Sequence, residues 1–165
     1  MLTFIGPDRP GLVRAIASRV AAEGGLWLES RLVRLAGQFA GVVRVEAAPE
    51  RLPALSAALH GLEVEGLKVT IATAEAETRE TPELLSLELI CLDRPGIVSE
   101  VTATLTALGV NIEEFESELV PAAFTGQPMF KASARLSAPA GLAVETLRER
   151  LERLAAEMMA DLSLC

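Results

Sequence analysis

The sequence contains no tyrosine, one tryptophan, one histidine and two cysteines among its 165 residues. A single histidine, His60, excludes a metal site rich in histidine. The cysteines, Cys91 and Cys165, form neither a Cys-x-x-Cys motif nor a disulfide framework, and Cys91 is interpreted as a small buried hydrophobic residue. Glycine-rich phosphate-binding motifs are absent as well. We therefore expect no metal site and no cofactor.

Long apolar segments are also missing. The sequence shows no run of about 18 apolar residues and no signal peptide, so it predicts a soluble, cytoplasmic protein with no membrane partner. Half of the residues are nonetheless apolar, which is ample for a hydrophobic core. Because aromatic residues are scarce, this core must consist of leucine, valine, isoleucine and alanine.

Positive charge is in short supply. The net charge is −8 and is unevenly distributed, since residues 1–80 carry nine basic and ten acidic side chains whereas residues 81–165 carry six and thirteen. A chain this acidic lacks the positive field that supplies nonspecific affinity for nucleic acids. We expect no direct nucleic-acid binding, and any action on gene expression would pass through another protein.

The tetrapeptide Asp-Arg-Pro-Gly occurs twice, at residues 8–11 and, 85 positions later, at residues 93–96. The apolar pattern that follows is also repeated, because residues 12–24 correspond to residues 97–109. Each copy follows a short apolar run and precedes residues with helical spacing, which indicates a strand, a turn and the start of a helix. A repeat of this length indicates a small domain that is present twice.

The same order of elements is predicted on both sides of a polar, proline-ended segment. Each half is predicted to contain strand, helix, strand, strand, helix and strand. This order is typical of the α+β class and of the ferredoxin-like (βαββαβ) fold, in which a four-stranded antiparallel sheet carries both helices on one face. The predicted domains are residues 1–75 and 83–165, joined by a linker at residues 76–82.

Two details of the helices are predicted more closely. Pro10 and Pro95 are placed in the first turns of their helices, where a missing N–H costs nothing. The second helix of the first half is expected to begin at Pro49. It is expected to bury Leu52, Leu55 and Leu59.

The motif Asp-Arg-Pro-Gly-Leu/Ile-Val between the first strand and the first helix resembles the opening motif of ACT domains. The segment Gly109-Val110-Asn111-Ile112-Glu113 resembles the start of their next strand. Two such units, with Leu28-Glu29-Ser30-Arg31-Leu32 in the first and Gly126-Gln127-Pro128-Met129-Phe130 in the second, resemble the glycine cleavage system transcriptional repressor group. The resemblance covers essentially the whole chain. It implies regulation by a small amino acid, with glycine as the effector and a DNA-binding activator as the protein partner.

In many ACT domains the ligand lies where two domains meet, at the first strand–helix loop and the facing second strand. By position, the resemblance implies that Asp93, Gly96, Ile97 and Asn111 bind a ligand in the second half. The loop that contains these first three residues also contains Arg94, and with Asn111 beside it this loop is the better candidate for ligand binding.

The first half departs from this pattern. The resemblance implies ligand-binding roles for Asp8, Gly11 and Leu12, but Leu26 stands at the position of Asn111. A site that uses an amide side chain is therefore not expected there. Two alternatives are left for the first loop: it is chiefly architectural, or its pocket is completed by the other domain.

A physical argument for these loops does not depend on the resemblance. The N-terminus of a helix presents unpaired N–H groups and a partial positive charge, which suit a carboxylate. Glycine lets a ligand approach the backbone, and a nearby aspartate can accept a hydrogen bond from an ammonium group. Ordinary turn and capping chemistry is the alternative explanation of aspartate at this position.

Glu114, Glu116 and Glu118 share one face of a predicted strand, because side chains alternate along a strand. A cation site or a two-carboxylate acid–base site would use such a face, but a solvated surface is favoured because no histidine or aspartate lies at ligand spacing. An acidic surface for a basic partner is a further alternative. Trp27 is interpreted as a core or interdomain anchor.

A non-enzymatic regulatory module is the first functional hypothesis. The alternative is a ferredoxin-like enzyme of acylphosphatase type, for which Arg9 and Arg94 lie near helix starts but the phosphate-cradling loop is missing. An RNA-binding sheet is disfavoured by the charge and by the absence of paired aromatic residues. Four-stranded sheets have open edges, which either the sister domain or a second chain could cap. Pairing within the chain is favoured, and a homodimer is an additional hypothesis.

Overall fold

The computed structural model of the protein describes residues 1–73, 83–123 and 125–165. The chain divides into two compact units, Met1–Glu77 and Thr78–Cys165. The predicted linker, residues 76–82, lies outside the described residues. Each unit has its own hydrophobic core.

The first unit follows the predicted order of strands and helices. Short 3₁₀ turns at Pro49–Arg51 and Gly61–Glu65 flank its second helix. The four strands form an antiparallel sheet in the order β2-β3-β1-β4. The elements are β1 (Leu2–Pro7), α1 (Leu12–Ala22), β2 (Leu26–Leu35), β3 (Gln38–Glu46), α2 (Leu52–His60) and β4 (Lys68–Ile71).

The second unit repeats this arrangement. Its strands form an antiparallel sheet in the order β6-β7-β5-β8, which is the same order as in the first unit. The predicted α+β class with two ferredoxin-like units is therefore confirmed. The elements are β5 (Glu83–Leu92), α3 (Ile97–Ala107), β6 (Asn111–Pro121), β7 (Pro128–Ala138), α4 (Val144–Met158) and β8 (Asp161–Leu164).

One face of the first sheet forms the core because side chains alternate along its strands. In β1, Leu2 and Phe4 are buried, whereas Ile5 points to the other face and is 47% exposed. Both helices cover the buried face, α1 with Ile16 and α2 with Leu59.

The core of the second unit follows the same rule. Leu87 and Leu89 of β5 and Leu136 of β7 are buried on one face of the sheet. Leu147 and Leu151 of α4 pack against this face, and their spacing of one helical turn gives the apolar stripe that the sequence predicts.

The predicted helix starts are wrong in one respect. α1 begins at Leu12 and α3 at Ile97, so Pro10 and Pro95 precede the helices instead of occupying their first turns. The intervening glycines have φ angles of 92° and 97°. A right-handed helix cannot include this left-handed conformation, which glycine adopts without steric cost.

The predicted burial of Leu52 is also wrong, since its side chain is 47% exposed. Leu52 is the first residue of α2 and follows the 3₁₀ turn, so it lies at the end of the helix and outside the core. The buried stripe begins one turn later, at Leu55, and continues through Leu59 and Leu62. Within the part of the chain that the structure describes, no helix is long and apolar enough to cross a membrane.

Candidate functional site

The two Asp-Arg-Pro-Gly segments form the loops that join β1 to α1 and β5 to α3. The backbone N–H of Asp8 donates a hydrogen bond to the carbonyl oxygen of Gly37 at 2.9 Å, and that of Asp93 donates to Pro128 at 3.1 Å. Gly37 and Pro128 lie in the hairpins that join β2 to β3 and β6 to β7. Each motif loop is therefore fixed against the hairpin at the same end of its own sheet.

The motif glycines are the N-cap residues of α1 and α3. The carbonyl oxygen of Gly11 accepts a hydrogen bond from the N–H of Ala15 at 2.9 Å, and that of Gly96 accepts from Glu100 at 3.0 Å. No side chain caps either helix. The motif aspartates therefore do not cap the helices, and the first backbone N–H groups of both helices lack an intrahelical partner.

The two motif aspartates have different surroundings. The carboxylate of Asp8 forms an ion pair with Arg34 on β2, with 2.6 Å between Oδ2 and Nε. Among the described residues, the carboxylate of Asp93 has no hydrogen bond or ion pair. Asp93 is thus the motif acid that could receive the ammonium group of a ligand without giving up an existing partner.

Arg94 is held by Glu100 from the first turn of α3. Its Nη1 and Nη2 atoms donate to Oε1 and Oε2 of Glu100 at 2.7 and 2.6 Å. This guanidinium lowers the pKa of the Glu100 carboxyl, and the hydrogen bonds to that carboxylate raise the pKa of Arg94. A Cβ atom on Gly96 would lie 3.4 Å from Glu100 Oε1 and 3.9 Å from Arg94 Nη1, so the ion pair lies over the motif glycine.

Arg9, at the position of Arg94 in the first unit, is held by a different acid. The carboxylate of Glu65 forms ion pairs with Nη2 of Arg9 at 2.8 Å and with Nη2 of Arg19 at 2.6 Å. Hydrogen bonds from Arg9 and Arg19 lower the pKa of Glu65, and the bond from Arg9 has the larger effect. Apart from its neighbours in the chain, no described residue places an atom within 4 Å of a Cβ built on Gly11, so these residues leave the motif glycine uncovered.

Asn111 does not lie beside the loop of its own unit. In β7, Ser137 is opposite Asn111, whereas Met129 is opposite Leu92 at the end of β5. The eight steps from Met129 to Ser137 correspond to about 26 Å along a strand. Because α3 reverses the direction of the chain, β6 begins at the end of the sheet opposite to the Asp93 loop. Asn111 instead donates through Nδ2 to Glu113 Oε1 at 2.8 Å.

Leu26 occupies the corresponding place in the first unit. It is opposite Glu46, whereas Pro7 at the end of β1 is opposite Gln38, so Leu26 also lies far from the Asp8 loop. Its side chain is 61% exposed. The contrast between an amide in the second unit and a leucine in the first therefore does not separate the two loops.

Sequence reasoning missed the acidic residues that hold the motif arginines. Glu100 could have been found, because an acidic side chain in the early turns of a helix is close to the preceding loop and is favoured there by the helix dipole. Glu65 carries no such signal, since it lies 56 positions from Arg9 in the chain. Only the folded chain places it at the motif.

A crevice lies on the helix-covered face of the second sheet. It is lined by apolar side chains that include Ile97, Val98 and Phe115, and its volume is about 10 Å³. That is roughly the smallest volume that can hold one water molecule. The crevice is therefore too small to receive an amino acid.

The acidic strand β6 forms a solvated face, as the sequence favours. Glu114 is opposite Arg135 and contacts it at 2.6 Å, and Glu118 is opposite Lys131 at 3.8 Å. In the described parts of the chain, no group of three or more potential ligand side chains could hold a metal ion. β7 thus partly neutralises the acidic surface.

Three further sequence interpretations concern single residues. Cys91 is 2% exposed, and burial raises the pKa of its thiol, so its interpretation as a buried hydrophobic residue is confirmed. Trp27 is half-buried and packs against the core of the first unit. His60 ends α2, and its Nδ1 lies 2.8 Å from the carbonyl oxygen of Ser56.

The fold and the repeated loop define the class of this protein. Models of the ACT domain match residues 1–71 and residues 85–122. Each match spans a first strand, an Asp-Arg-Pro-Gly loop, a first helix and the following strand. The chain belongs to the ACT domain family and carries two ACT domains in tandem.

Whole-chain relatives are consistent with this tandem organisation. The chain is 24% identical over 163 residues to the glycine cleavage system transcriptional repressors of Escherichia coli (strain K12) and of Shigella flexneri, covering 98% of this chain and 86% of each relative. This relationship supports a regulatory role.

Two solved structures share the fold over nearly the full length. One is an unknown protein from Galdieria sulphuraria, with a TM-score of 0.81 and 28% identity over 99% of this chain and 94% of that chain. The other is provisionally assigned as a glycine cleavage system transcriptional repressor and has a TM-score of 0.76 and 16% identity, with the same coverage.

Proposed function

We propose that this protein is a non-enzymatic regulator that binds a small amino acid and acts on transcription through a protein partner. The observation that carries the proposal is the paired occurrence of an uncapped helix N-terminus and a motif loop in a chain related over its length to a transcriptional repressor. Glycine is the first ligand to test, because the related repressors are named for the glycine cleavage system.

The loop of the second unit is the proposed ligand site. The backbone N–H groups at Gly96 and Ile97 would receive the ligand carboxylate, with Arg94 as a second cationic contact. Asp93, which is exposed and has no partner among the described residues, would accept a hydrogen bond from the ammonium group. These opposite charges are suited to a zwitterion.

The corresponding loop of the first unit is the proposed second site. Gly11 and Leu12 offer the same backbone geometry, and the approach to Gly11 is uncovered. Asp8 would have to exchange its 2.6 Å contact with Arg34 for the ligand ammonium. We therefore expect weaker binding here than at the Asp93 loop. We propose that Asn111 contacts a ligand separately, at the end of the sheet away from the loop of its own unit.

Calorimetric titration and thermal-shift measurements with glycine and a panel of other amino acids test the proposal. Asp93→Asn is expected to lower the affinity several-fold, because it removes the negative charge that faces the ammonium group. The matched variant Asp8→Asn is expected to have a smaller effect. The absence of both binding heat and a thermal shift with every amino acid would contradict the sensing role.

The proposed route through a protein partner has its own test. Two features support this route: the net charge of −8 and the acidic face formed by Glu114, Glu116 and Glu118. Fluorescence anisotropy with labelled duplex DNA should show no binding by the purified protein at physiological salt. Salt-sensitive binding to DNA by the protein alone would contradict an indirect route.

The enzymatic alternative requires the motif arginines to be free to bind phosphate. A phosphate-binding role would require Arg9 and Arg94 to leave Glu65 and Glu100, which now neutralise them. Incubation of the purified protein with an acyl phosphate should therefore give no turnover above the spontaneous rate. Turnover that is lost in Arg94→Gln would replace the regulatory proposal with an enzymatic one.

A homodimer formed through β2 is also part of the proposal. β2 is an edge strand of ten residues, and Leu26, Leu28, Val33 and Leu35 are 46–74% exposed along it. An exposed apolar edge favours pairing with another strand. Light scattering after size exclusion is expected to give twice the mass of the chain, and Val33→Lys is expected to shift it towards the monomer.

A further inference from the structure

The ion pair between Arg94 and Glu100 occupies the place where a carboxylate ligand would approach the second motif loop. Both oxygens of Glu100 are within 2.7 Å of the terminal nitrogens of Arg94, and Arg94 Nη1 also donates to the carbonyl oxygen of Pro95 at 3.3 Å. The side chains are 42% and 41% exposed, so the pair is accessible to solvent. It lies over Gly96, at the N-terminus of α3.

We propose that Glu100 is an internal competitor for the ligand carboxylate and sets the affinity and charge selectivity of the second motif loop. This inference rests on the proposed amino-acid site at that loop. A guanidinium group binds one carboxylate through a pair of parallel N–H donors. Because Glu100 already uses Nη1 and Nη2, a ligand carboxylate can use this edge of Arg94 only after Glu100 has moved away.

The pair is suited to reversible displacement. Ion pairs at an exposed surface contribute little free energy, because solvent competes for both groups and two long side chains must be ordered. Release of Glu100 leaves its carboxylate in water, where it needs no other partner. The ion pair with Glu100 therefore opposes the binding of a ligand at Arg94 only weakly.

The first unit provides a natural comparison. By the offset of the repeat, Arg9 corresponds to Arg94 and Ala15 corresponds to Glu100. Helix α1 thus carries no acid at this position, and Arg9 is bound by Glu65 from the segment before β4. No side chain of the described residues lies over Gly11. Competition by an acid on the same helix is a property of the second unit alone.

Nuclear magnetic resonance titration of the full chain tests this role, with the amides of Gly96 and Ile97 as local reporters. The probes are glycine, acetate and methylamine, which separate the carboxylate from the ammonium group. Glu100→Gln is expected to bind glycine and acetate about two- to fivefold more tightly, in line with the small contribution of an exposed ion pair. Methylamine binding is expected to change by less than this amount.

Two further variants show whether the effect passes through Arg94. The gain in acetate affinity from Glu100→Gln should vanish when Arg94→Gln is also present, because there is no guanidinium left to release. Glu65→Gln, in the first unit, should leave the Gly96 and Ile97 titrations unchanged. Glu100→Ala should give the same direction as Glu100→Gln, and circular dichroism checks that each variant is folded.

The outcomes separate this inference from the proposed function. If the unsubstituted protein binds glycine and Glu100→Gln binds it equally or more weakly, Glu100 does not compete, although the amino-acid site stands. A gain that persists without Arg94 also overturns the inference. If none of the probes binds to any variant, both the proposed amino-acid site and the competition by Glu100 are contradicted.

Discussion

Asp93 and Asn111 lie at opposite ends of the same four-stranded sheet. The strand registers place them about 26 Å apart along the strands, because β5 and β6 run in the same direction and α3 returns the chain to the starting end. A small ligand in contact with Asp93 therefore cannot reach the Asn111 of the same unit. The proposed site is therefore limited to the loop, the start of α3 and the neighbouring hairpin.

The first prediction follows from this distance. Asn111→Ala is expected to leave the glycine affinity measured at the Gly96 amide unchanged, whereas Asp93→Asn is expected to reduce it. Amide shifts recorded during a glycine titration provide the measurement. A loss of affinity in folded Asn111→Ala would indicate that this amide meets a loop from another copy of the chain.

The second prediction concerns the acid shared by Arg9 and Arg19. Hydrogen bonds from both arginines lower the pKa of Glu65, so its ionised form stabilises the folded state. This stabilisation is present above the ordinary glutamate pKa of about 4.3 and is lost as the pH falls through the lowered folded value. Glu65→Gln is therefore expected to unfold at a slightly lower temperature than the unsubstituted protein at pH 7.

The difference between Glu65→Gln and the unsubstituted protein should disappear at low pH, in unfolding curves recorded from pH 7 to pH 2.5. Glu63→Gln is the matched control, because Glu63 is exposed on the same segment and, among the described residues, the ion pairs of Arg9 and Arg19 are with Glu65. An equal pH dependence for both variants would show that the Glu65 network does not stabilise the unit.

The third prediction separates two leucines of α2. Leu59 is 2% exposed and belongs to the core, whereas Leu52 is 47% exposed. Leu59→Ala is expected to lower the free energy of unfolding by about 2–5 kcal/mol, because it removes buried apolar surface and leaves a cavity. Leu52→Ala is expected to cost less than about 1 kcal/mol. Urea unfolding measures both, and similar losses would mean that Leu52 is buried in solution.

The fourth prediction concerns the two thiols. Cys91 is buried and its thiol pKa is raised, so it is protonated and inaccessible in the folded protein at pH 8, whereas Cys165 is exposed. A colorimetric thiol reagent is therefore expected to modify one thiol rapidly in the native protein and two in denaturant. Cys165→Ser should remove the rapid phase. Rapid modification of that variant would mean that the strand carrying Cys91 opens readily.

The course of the chain within each unit was predictable because local patterns specify it. The repeated motif, the alternation in β5 and the leucine stripe of α4 each depend on neighbours a few positions apart, and they predict the ferredoxin-like order. The exact start of α1 was not predictable from Pro10. Its position depends on the left-handed conformation of Gly11, and because glycine has no side chain this N-cap residue cannot cap the helix.

The candidate site was only partly predictable for a related reason. Asp93, Arg94, Gly96 and Ile97 are adjacent in the chain, so the sequence alone brings them together. The pairing of Arg9 with Glu65 and of Asp8 with Arg34 joins positions that are distant in the chain. Such pairs are set by the packing of whole elements and have no local signal.

The sequence by itself determined that the protein has two ACT-type units, that each unit has a motif loop before its first helix, and that the second half is the more acidic. Only the tertiary structure decided which acids hold the motif arginines and that Asn111 lies at the far end of the sheet. It also decided that Asp93, among the described residues, lacks the kind of partner that Asp8 has. The physical reason is that periodicity and turn chemistry act over a few residues, whereas strand register and helix packing determine which distant side chains meet.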